Sequence, residues 1–82
     1  MKKIIVPVAL FILCACHEKK IAASEVPQPV TAAFASRYPN TANVEWEQEK
    51  ENGKMVYEAE FTFHGKKLEA EFDPNGNFIK EE

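Results

Sequence analysis

Alternation of apolar and polar residues from Val44 onward constrains the fold more than any other feature of this sequence. Two short turns interrupt the alternation, Asn52-Gly53 and His64-Gly65. Asn-Gly between alternating segments is the strongest short signal for a two-residue β-hairpin turn. The first turn therefore predicts that Glu51 pairs with Lys54, and the second turn aligns the next strand in the same way.

Both turns place the apolar side chains on one face of the predicted sheet. The first turn puts Trp46 opposite Ala59, and the second puts Ala59 opposite Ala70. A slip of one residue would move every side chain to the other face, so the agreement of the two turns supports the register. The predicted inward face consists of Val44, Trp46, Tyr57, Ala59, Phe61, Phe63, Leu68 and Phe72.

A third reversal and a short last strand follow the hairpins. Asp73-Pro74-Asn75-Gly76 has proline at the second turn position and glycine at the fourth. The last strand is predicted over Asn77 to Lys80. Whether Phe78 or Ile79 faces inward depends on a bulge at Gly76, and both alternatives stay open at this point.

A helix is predicted before the strands, over Pro27 to Arg37. Pro27 and Pro29 fit only its first turn, and Pro39 ends it. One apolar stripe recurs at steps of three and four, formed by Val26, Val30, Ala33, Phe34 and Tyr38. This stripe must cover the apolar face of the sheet. The predicted fold is α+β with two layers, one N-terminal helix packed on a four-stranded antiparallel meander in the order α-β-β-β-β.

The first residues indicate export. A basic start is followed by the apolar stretch from Ile4 to Leu13, which is too short to span a bilayer as a helix. The stretch ends in Leu13-Cys14-Ala15-Cys16, which resembles the bacterial lipobox. The resemblance implies that residues 1–15 are a removed signal peptide. It also implies that Cys16 is acylated and anchors the chain in a membrane.

The cysteines have two competing interpretations. Cys14, Cys16 and His17 lack the fourth ligand of a closed zinc site. A c-type haem motif requires Cys-x-x-Cys-His, and this segment is one residue short. If the lipobox is used, Cys14 is discarded and Cys16 carries lipid, so the folded domain has no disulfide and depends on packing.

The segment after Cys16 is predicted to be a tether. His17 to Ala23 lacks apolar periodicity, which favours a disordered spacer. Residues 16–24 are therefore assigned to the lipidated cysteine and tether, and residues 25–82 to the folded domain. His17 stands where inner-membrane retention rules place aspartate, which favours the outer membrane. The domain would face the periplasm or the cell surface, and the leaflet stays open.

The length and charge of the chain exclude several classes of function. The 66 residues after Cys16 carry 8 Lys and Arg against 13 Asp and Glu, which leaves a net charge of −5. A large enzyme is excluded by length. Nucleic acid and anionic lipid surfaces are poor partners for so acidic a chain.

Three segments together resemble a known family. They are the helix ending in Tyr38-Pro39, the strand start Val44-Glu45-Trp46, and the turn Glu71-Phe72-Asp73-Pro74-Asn75-Gly76. From about Glu25 to Lys80 the chain is similar to the PepSY-like family of β-lactamase-inhibitor-like proteins. The resemblance implies a fold like that of β-lactamase inhibitory protein, in which two tandem copies grip an enzyme with one concave sheet surface. This chain has one copy, so it would act as a monomer or as a weak homodimer. The family provides no catalytic residues.

The same registers place two rows of glutamates on the outer face of the sheet. Directly opposed like charges on neighbouring strands are destabilising, and no lysine lies among them. A protein partner in the envelope with basic side chains, or calcium bound through several carboxylates, would relieve the repulsion. A solvated acidic face of a purely structural domain is the alternative. The predicted partner- or cation-binding residues are Glu45, Glu47, Glu58, Glu60, Glu69 and Glu71.

Catalysis has weak support in this sequence. The candidates for nucleophilic chemistry are Ser24, Ser36 and His64, with Asp73 as the single aspartate. His64 is expected in a tight turn where it tolerates positive φ. A single small sheet offers no deep cleft for a pair of carboxylates with unequal pKa values. We therefore expect no catalytic residues and no cofactor other than calcium, with a small hydrolase as the remote alternative.

Overall fold

The computed structural model describes residues 16–82, so the predicted signal peptide and Cys14 lie outside the described residues. The structure is α+β. It contains a 3₁₀ helix at Ala23–Glu25, one α-helix and five strands. The α-helix is α1 (Gln28–Arg37), and the strands are β1 (Cys16–Ile21), β2 (Glu45–Glu51), β3 (Lys54–Phe63), β4 (Lys66–Phe72) and β5 (Phe78–Glu81). All neighbouring strands are antiparallel, in the order β1-β2-β3-β4-β5.

The two hairpin turns have the geometry that the sequence predicts. Asn52 and Gly53 have φ values of 51° and 79°, and His64 and Gly65 have 53° and 78°. Positive φ at both central residues is typical of a type I′ turn, whose twist matches that of the flanking strands. The predicted pairing of Glu51 with Lys54 is confirmed, as is the inward register of the strands that follow.

Helix α1 begins at Gln28, one residue later than predicted, and ends at Arg37 as predicted. Its aromatic side chain Phe34 is the centre of the core. The Phe34 ring lies 5.3 Å from that of Trp46 and 4.9 Å from that of Phe61, centroid to centroid, in edge-to-face arrangements. Such arrangements are the preferred geometry for aromatic pairs. The helix therefore packs its apolar stripe on one face of the sheet.

The predicted core residues are confirmed. Val44 precedes β2 and packs against the core without belonging to the strand ladder. Phe63 and Leu68 are half-buried at its margin. The buried apolar residues are Val26, Val30, Phe34, Tyr38, Trp46, Val56, Tyr57, Ala59, Phe61, Ala70 and Phe72.

In the last strand Phe78 faces the core and Ile79 does not. Phe78 pairs with Phe72 and its ring lies 5.9 Å from the Phe72 ring, whereas Ile79 is 46% exposed. The next ladder pair joins Glu71 to Lys80, which leaves Ile79 as the extra residue of a bulge. The irregularity of the strand therefore lies at Ile79 and not at Gly76.

The prediction of four strands is wrong, and so is the prediction of a disordered tether. Residues Cys16–Ile21 form β1, an edge strand on β2. An edge strand has one neighbour and can be stabilised by backbone pairing alone, so it needs little apolar surface. Of residues 18–21, whose side chains the structure describes, only Ile21 packs against the core, next to Trp46. One apolar residue produces no periodicity, which is why the sequence pattern did not reveal the strand. Within residues 16–82, no helix is long and apolar enough to cross a membrane.

Candidate binding surface

The sheet face directed away from α1 carries most of the acidic side chains, and we call it the acidic face. All six predicted glutamates lie on it and oppose one another as predicted. One row is Glu47, Glu58 and Glu71, and the other is Glu45, Glu60 and Glu69. Strand alternation and backbone pairing add four further glutamates to this face, Glu18, Glu49, Glu51 and Glu82.

Two lysines flank the first row at the edges of the sheet. Lys20 of β1 pairs with Glu47, and Lys80 of β5 pairs with Glu71. Lys20 Nζ lies 3.7 Å from a Glu45 carboxylate oxygen, and Lys80 Nζ lies 3.1 Å from one of Glu82. These ion pairs are exposed and contribute little to stability. No lysine lies between the six predicted glutamates, although Lys54 and Lys67 lie on the same face toward the hairpin turns.

Three glutamates of the acidic face are buried. Glu49, Glu58 and Glu71 expose 5%, 7% and 8% of their surface. Glutamate is almost never this buried without a partner. Val56 pairs with Glu49 and is also buried. It lies on the acidic face, and α1 packs on the other face of the sheet. Glu49 and Val56 are therefore buried together on the face that is directed away from α1.

The carboxylates converge in three overlapping groups. Within each group, one carboxylate oxygen of each glutamate lies within 4.8 Å of those of the other two. The groups are Glu18, Glu47 and Glu49; Glu47, Glu58 and Glu60; and Glu49, Glu51 and Glu71. Three oxygens at such spacing can share a proton or coordinate a hard cation.

Among these glutamates, Glu58 has the most strongly shifted pKa. Burial, followed by hydrogen bonds with Glu49 and Glu69, raises the pKa of Glu58 to about 10. The raised pKa favours the neutral form of Glu58, which can donate its proton to a neighbouring carboxylate. Burial also raises the pKa of Glu49, and the hydrogen bond from Glu58 partly opposes that rise.

The pKa values of two neighbours of Glu58 are raised as well. Burial raises the pKa of Glu47, and the charges of Glu18 and Glu60 raise it further. Burial raises the pKa of Glu71, while the charge of Lys80 lowers it. In the described part of the chain Lys80 makes its ion pair with Glu82, so Glu71 is buried without a direct cationic partner.

Sequence reasoning missed Glu49, which is the most buried glutamate. The alternation Glu45, Glu47, Glu49, Glu51 places all four on one face, so its position was readable from the sequence. Its burial was not readable, because that depends on Val56 and on side chains from other strands. Glu18 was missed for a different reason, since its segment was predicted to be a tether.

The catalytic candidates are distributed over separate elements. Ser24 lies in the 3₁₀ helix, Ser36 in α1, and His64 in the β3–β4 turn. The Asp73 carboxylate accepts hydrogen bonds from the Asn75 and Asn77 backbone N–H groups and from the Asn77 side chain, each at 2.9 Å. The bonds from Asn77 are the main reason that the pKa of Asp73 is lowered. Asp73 therefore organises the β4–β5 turn.

Fold and site together define an α+β protein with one helix and a five-stranded antiparallel sheet whose second face is acidic. Among protein-family models, curated proteins and solved structures, none matches this chain.

Proposed function

We propose that this chain is a non-catalytic binding module of the bacterial envelope, anchored by lipid on Cys16, that engages a cationic partner through its acidic face. The burial of Glu49, Glu58 and Glu71 carries the proposal. Burying carboxylates beside one another is unfavourable unless protons or cations compensate their charge. A local rule broken in this way is where a binding site is expected.

A protein with basic side chains is the first candidate partner. The helix on one side of the sheet supports a two-layer domain that leaves the acidic face accessible. The resemblance to the PepSY-like family adds an inhibitor-like role by analogy of fold, because in β-lactamase inhibitory protein, whose fold that family resembles, a sheet surface grips an enzyme. Either a monomer with a half-sized sheet surface or a weak homodimer would present the acidic face to the partner.

Calcium is the second candidate partner. The convergence of three carboxylates within 4.8 Å favours it, because calcium prefers several oxygen ligands. Glu49, Glu51 and Glu71 are the favoured ligand set, because Glu71 is buried without a direct cationic partner in the described part of the chain. Extracellular sites of this kind bind calcium with dissociation constants of about 10⁻⁴ to 10⁻³ M.

Binding of two defined cationic probes tests the acidic face. We expect the purified protein to bind a polylysine peptide in a salt-dependent way, or to gain thermal stability with calcium chloride. The triple variant Glu45→Gln, Glu60→Gln, Glu69→Gln should weaken polylysine binding. The triple variant Glu49→Gln, Glu51→Gln, Glu71→Gln should lose the calcium effect. Glu25→Gln is the matched control, because it removes one charge away from the acidic face and keeps a side-chain oxygen for the Ala22 N–H. If the wild-type protein responds to neither probe, the proposal is wrong and the purely structural alternative stands.

Metabolic labelling with palmitate tests the anchor. We expect label on the wild-type protein, and none on Cys16→Ala, which should accumulate as an unprocessed or soluble precursor. Ser24→Ala is a suitable control, because it leaves the lipobox residues unchanged. Palmitate label that survives the Cys16→Ala substitution would remove the lipoprotein interpretation and, with it, the outer-membrane location.

A further inference from the structure

The place where the chain enters the sheet determines which part of the domain would lie nearest a lipid anchor. The backbone of Cys16 pairs with Glu51, which directly precedes the Asn52-Gly53 turn. Neighbouring strands are about 5 Å apart. Residues 17–21 are paired in β1 and leave no free spacer. An acyl chain on Cys16 therefore holds this turn at the bilayer surface. We call β1 and residues 48–57 the arm.

The two sides of the arm differ in charge. On the side that faces α1, Lys19 pairs with Gln48 and Lys50 pairs with Met55. Both lysines are exposed and Met55 is half-buried, and together with Gln48 and Glu18 they line a shallow depression of about 210 Å³. We call this the basic side of the arm.

The opposite side of the arm belongs to the acidic face. It carries Glu49, Glu51 and Glu18, of which Glu18 also borders the depression. Two lysines lie on this side as well, Lys20 beside Glu47 and the exposed Lys54 next to the turn. An anionic lipid surface repels this side and attracts the lysines of the basic side. Lys19 and Lys50 have long aliphatic stems that can cover the thioether of Met55 while their amines reach lipid phosphates.

We propose that the basic side of the arm lies on the anionic surface of the membrane that holds the anchor, and that the acidic face is thereby directed away from the bilayer. This inference rests on the proposed acylation of Cys16. The net charge of −5 disfavours binding of the free chain to such a surface. Charge sets the orientation here and not the affinity, because the acyl chain provides the attachment.

Depth-dependent fluorescence quenching tests this orientation. Acylation of Cys16 and removal of Cys14 leave no free thiol, so one introduced cysteine can be labelled specifically. Met55→Cys and Lys54→Cys are a matched pair, because they are consecutive residues of β3 near the anchor and lie on opposite sides of the sheet. Thr62→Cys, at the far end of β3, is the distant control. The lipidated protein is reconstituted in vesicles of phosphatidylethanolamine and phosphatidylglycerol that contain a headgroup-level quencher.

The expected result is a larger loss of emission at Met55→Cys than at Lys54→Cys, and almost none at Thr62→Cys. Adding Lys19→Glu and Lys50→Glu should reverse the order of the first two positions. Replacing phosphatidylglycerol with phosphatidylcholine should reduce the difference between them. Equal quenching at Met55→Cys and Lys54→Cys would mean that the domain stands on its turn, and it would overturn the inference.

Absence of acylation at Cys16 would be distinguishable from a wrong orientation. Intact mass reports whether Cys16 carries acyl chains before any label is read. A protein without acyl chains contradicts the proposed lipid anchor, and the orientation falls with it. An acylated protein with no quenching at any of the three positions contradicts the orientation alone.

Discussion

Glu58 and Glu71 face each other across β3 and β4, and each exposes less than a tenth of its surface. Directly opposed like charges on neighbouring strands destabilise a sheet. Burial raises the pKa of both groups, so the repulsion is relieved by proton uptake. The acidic face therefore links the stability of the fold to pH.

We expect stability to rise as pH falls from 7 toward 5. A raised pKa in the folded state means that the folded protein binds more protons than the unfolded chain, so unfolding releases protons and is disfavoured by acid. The stabilisation is fully present below the unfolded pKa of glutamate and is lost as pH rises through the folded pKa. One extra proton corresponds to about 1.4 kcal/mol per pH unit. Urea unfolding midpoints at both pH values measure the effect.

Glu58→Gln is the decisive variant for this dependence on pH. Its amide resembles a neutral carboxyl and can still donate a hydrogen bond, so we expect higher stability at pH 7 and a smaller gain on acidification. Glu25→Gln, away from the acidic face, should keep the wild-type dependence. Asp73 does not interfere, because its lowered pKa places its titration below this range. Equal urea midpoints at pH 7 and pH 5 in the wild-type protein would contradict the expectation.

Trp46→Ala should unfold most of the protein. Trp46 is 5% exposed and packs edge-on against Phe34, between the helix and the sheet. Truncating such a residue costs about 3 to 5 kcal/mol, and a domain of this size has roughly 5 kcal/mol in total. Ile79→Ala, at the exposed bulge, should change stability by about 0.5 kcal/mol or less. Circular dichroism during urea titration measures the stability of the two variants. A folded Trp46→Ala protein that loses binding to polylysine would instead identify Trp46 as a surface contact.

Much of the fold follows from local signals. The two-residue turns Asn52-Gly53 and His64-Gly65 determine which flanking residues pair with each other. The register of three strands and the faces of their side chains were therefore predictable from the sequence. The apolar stripe of α1, with Pro39 after it, was predictable for the same reason. The six glutamates of the candidate site follow from this register alone.

Strand β1 and the burial on the acidic face were not predictable in this way. Pairing of Cys16–Ile21 with β2 spans about thirty residues and rests on backbone hydrogen bonds that no side-chain pattern encodes. The burial of Glu49 depends on Val56 and on side chains from several strands. The inward position of Phe78 depends on its pairing with Phe72, which the turn sequence did not specify.

Tyr38→Phe should destabilise the protein by about 1 kcal/mol. The Tyr38 hydroxyl donates a hydrogen bond to Glu81 at 2.5 Å and thereby ties the end of α1 to β5. Removing the donor leaves an exposed carboxylate that water can solvate, so the loss stays near that of an ordinary hydrogen bond. Glu81→Gln keeps an acceptor oxygen and should cost less. Thermal unfolding of both variants measures the difference, and an unchanged midpoint for Tyr38→Phe would mean that the bond contributes no net stability.

Gly76→Ala should cost more stability than the same change at Gly53. Both glycines have positive φ, 89° and 79°, where a side chain is strained by about 1 to 2 kcal/mol. A Cβ on Gly53 would meet nothing within 4 Å, whereas one on Gly76 would lie 2.9 Å from the carbonyl carbon of Pro29 and closer still to its oxygen. The start of α1 must then move away from the β4–β5 turn, which adds about 1 to 3 kcal/mol. Urea unfolding of the two variants isolates this contact, since backbone strain is common to both. Equal losses would mean that α1 does not approach Gly76 as closely as described.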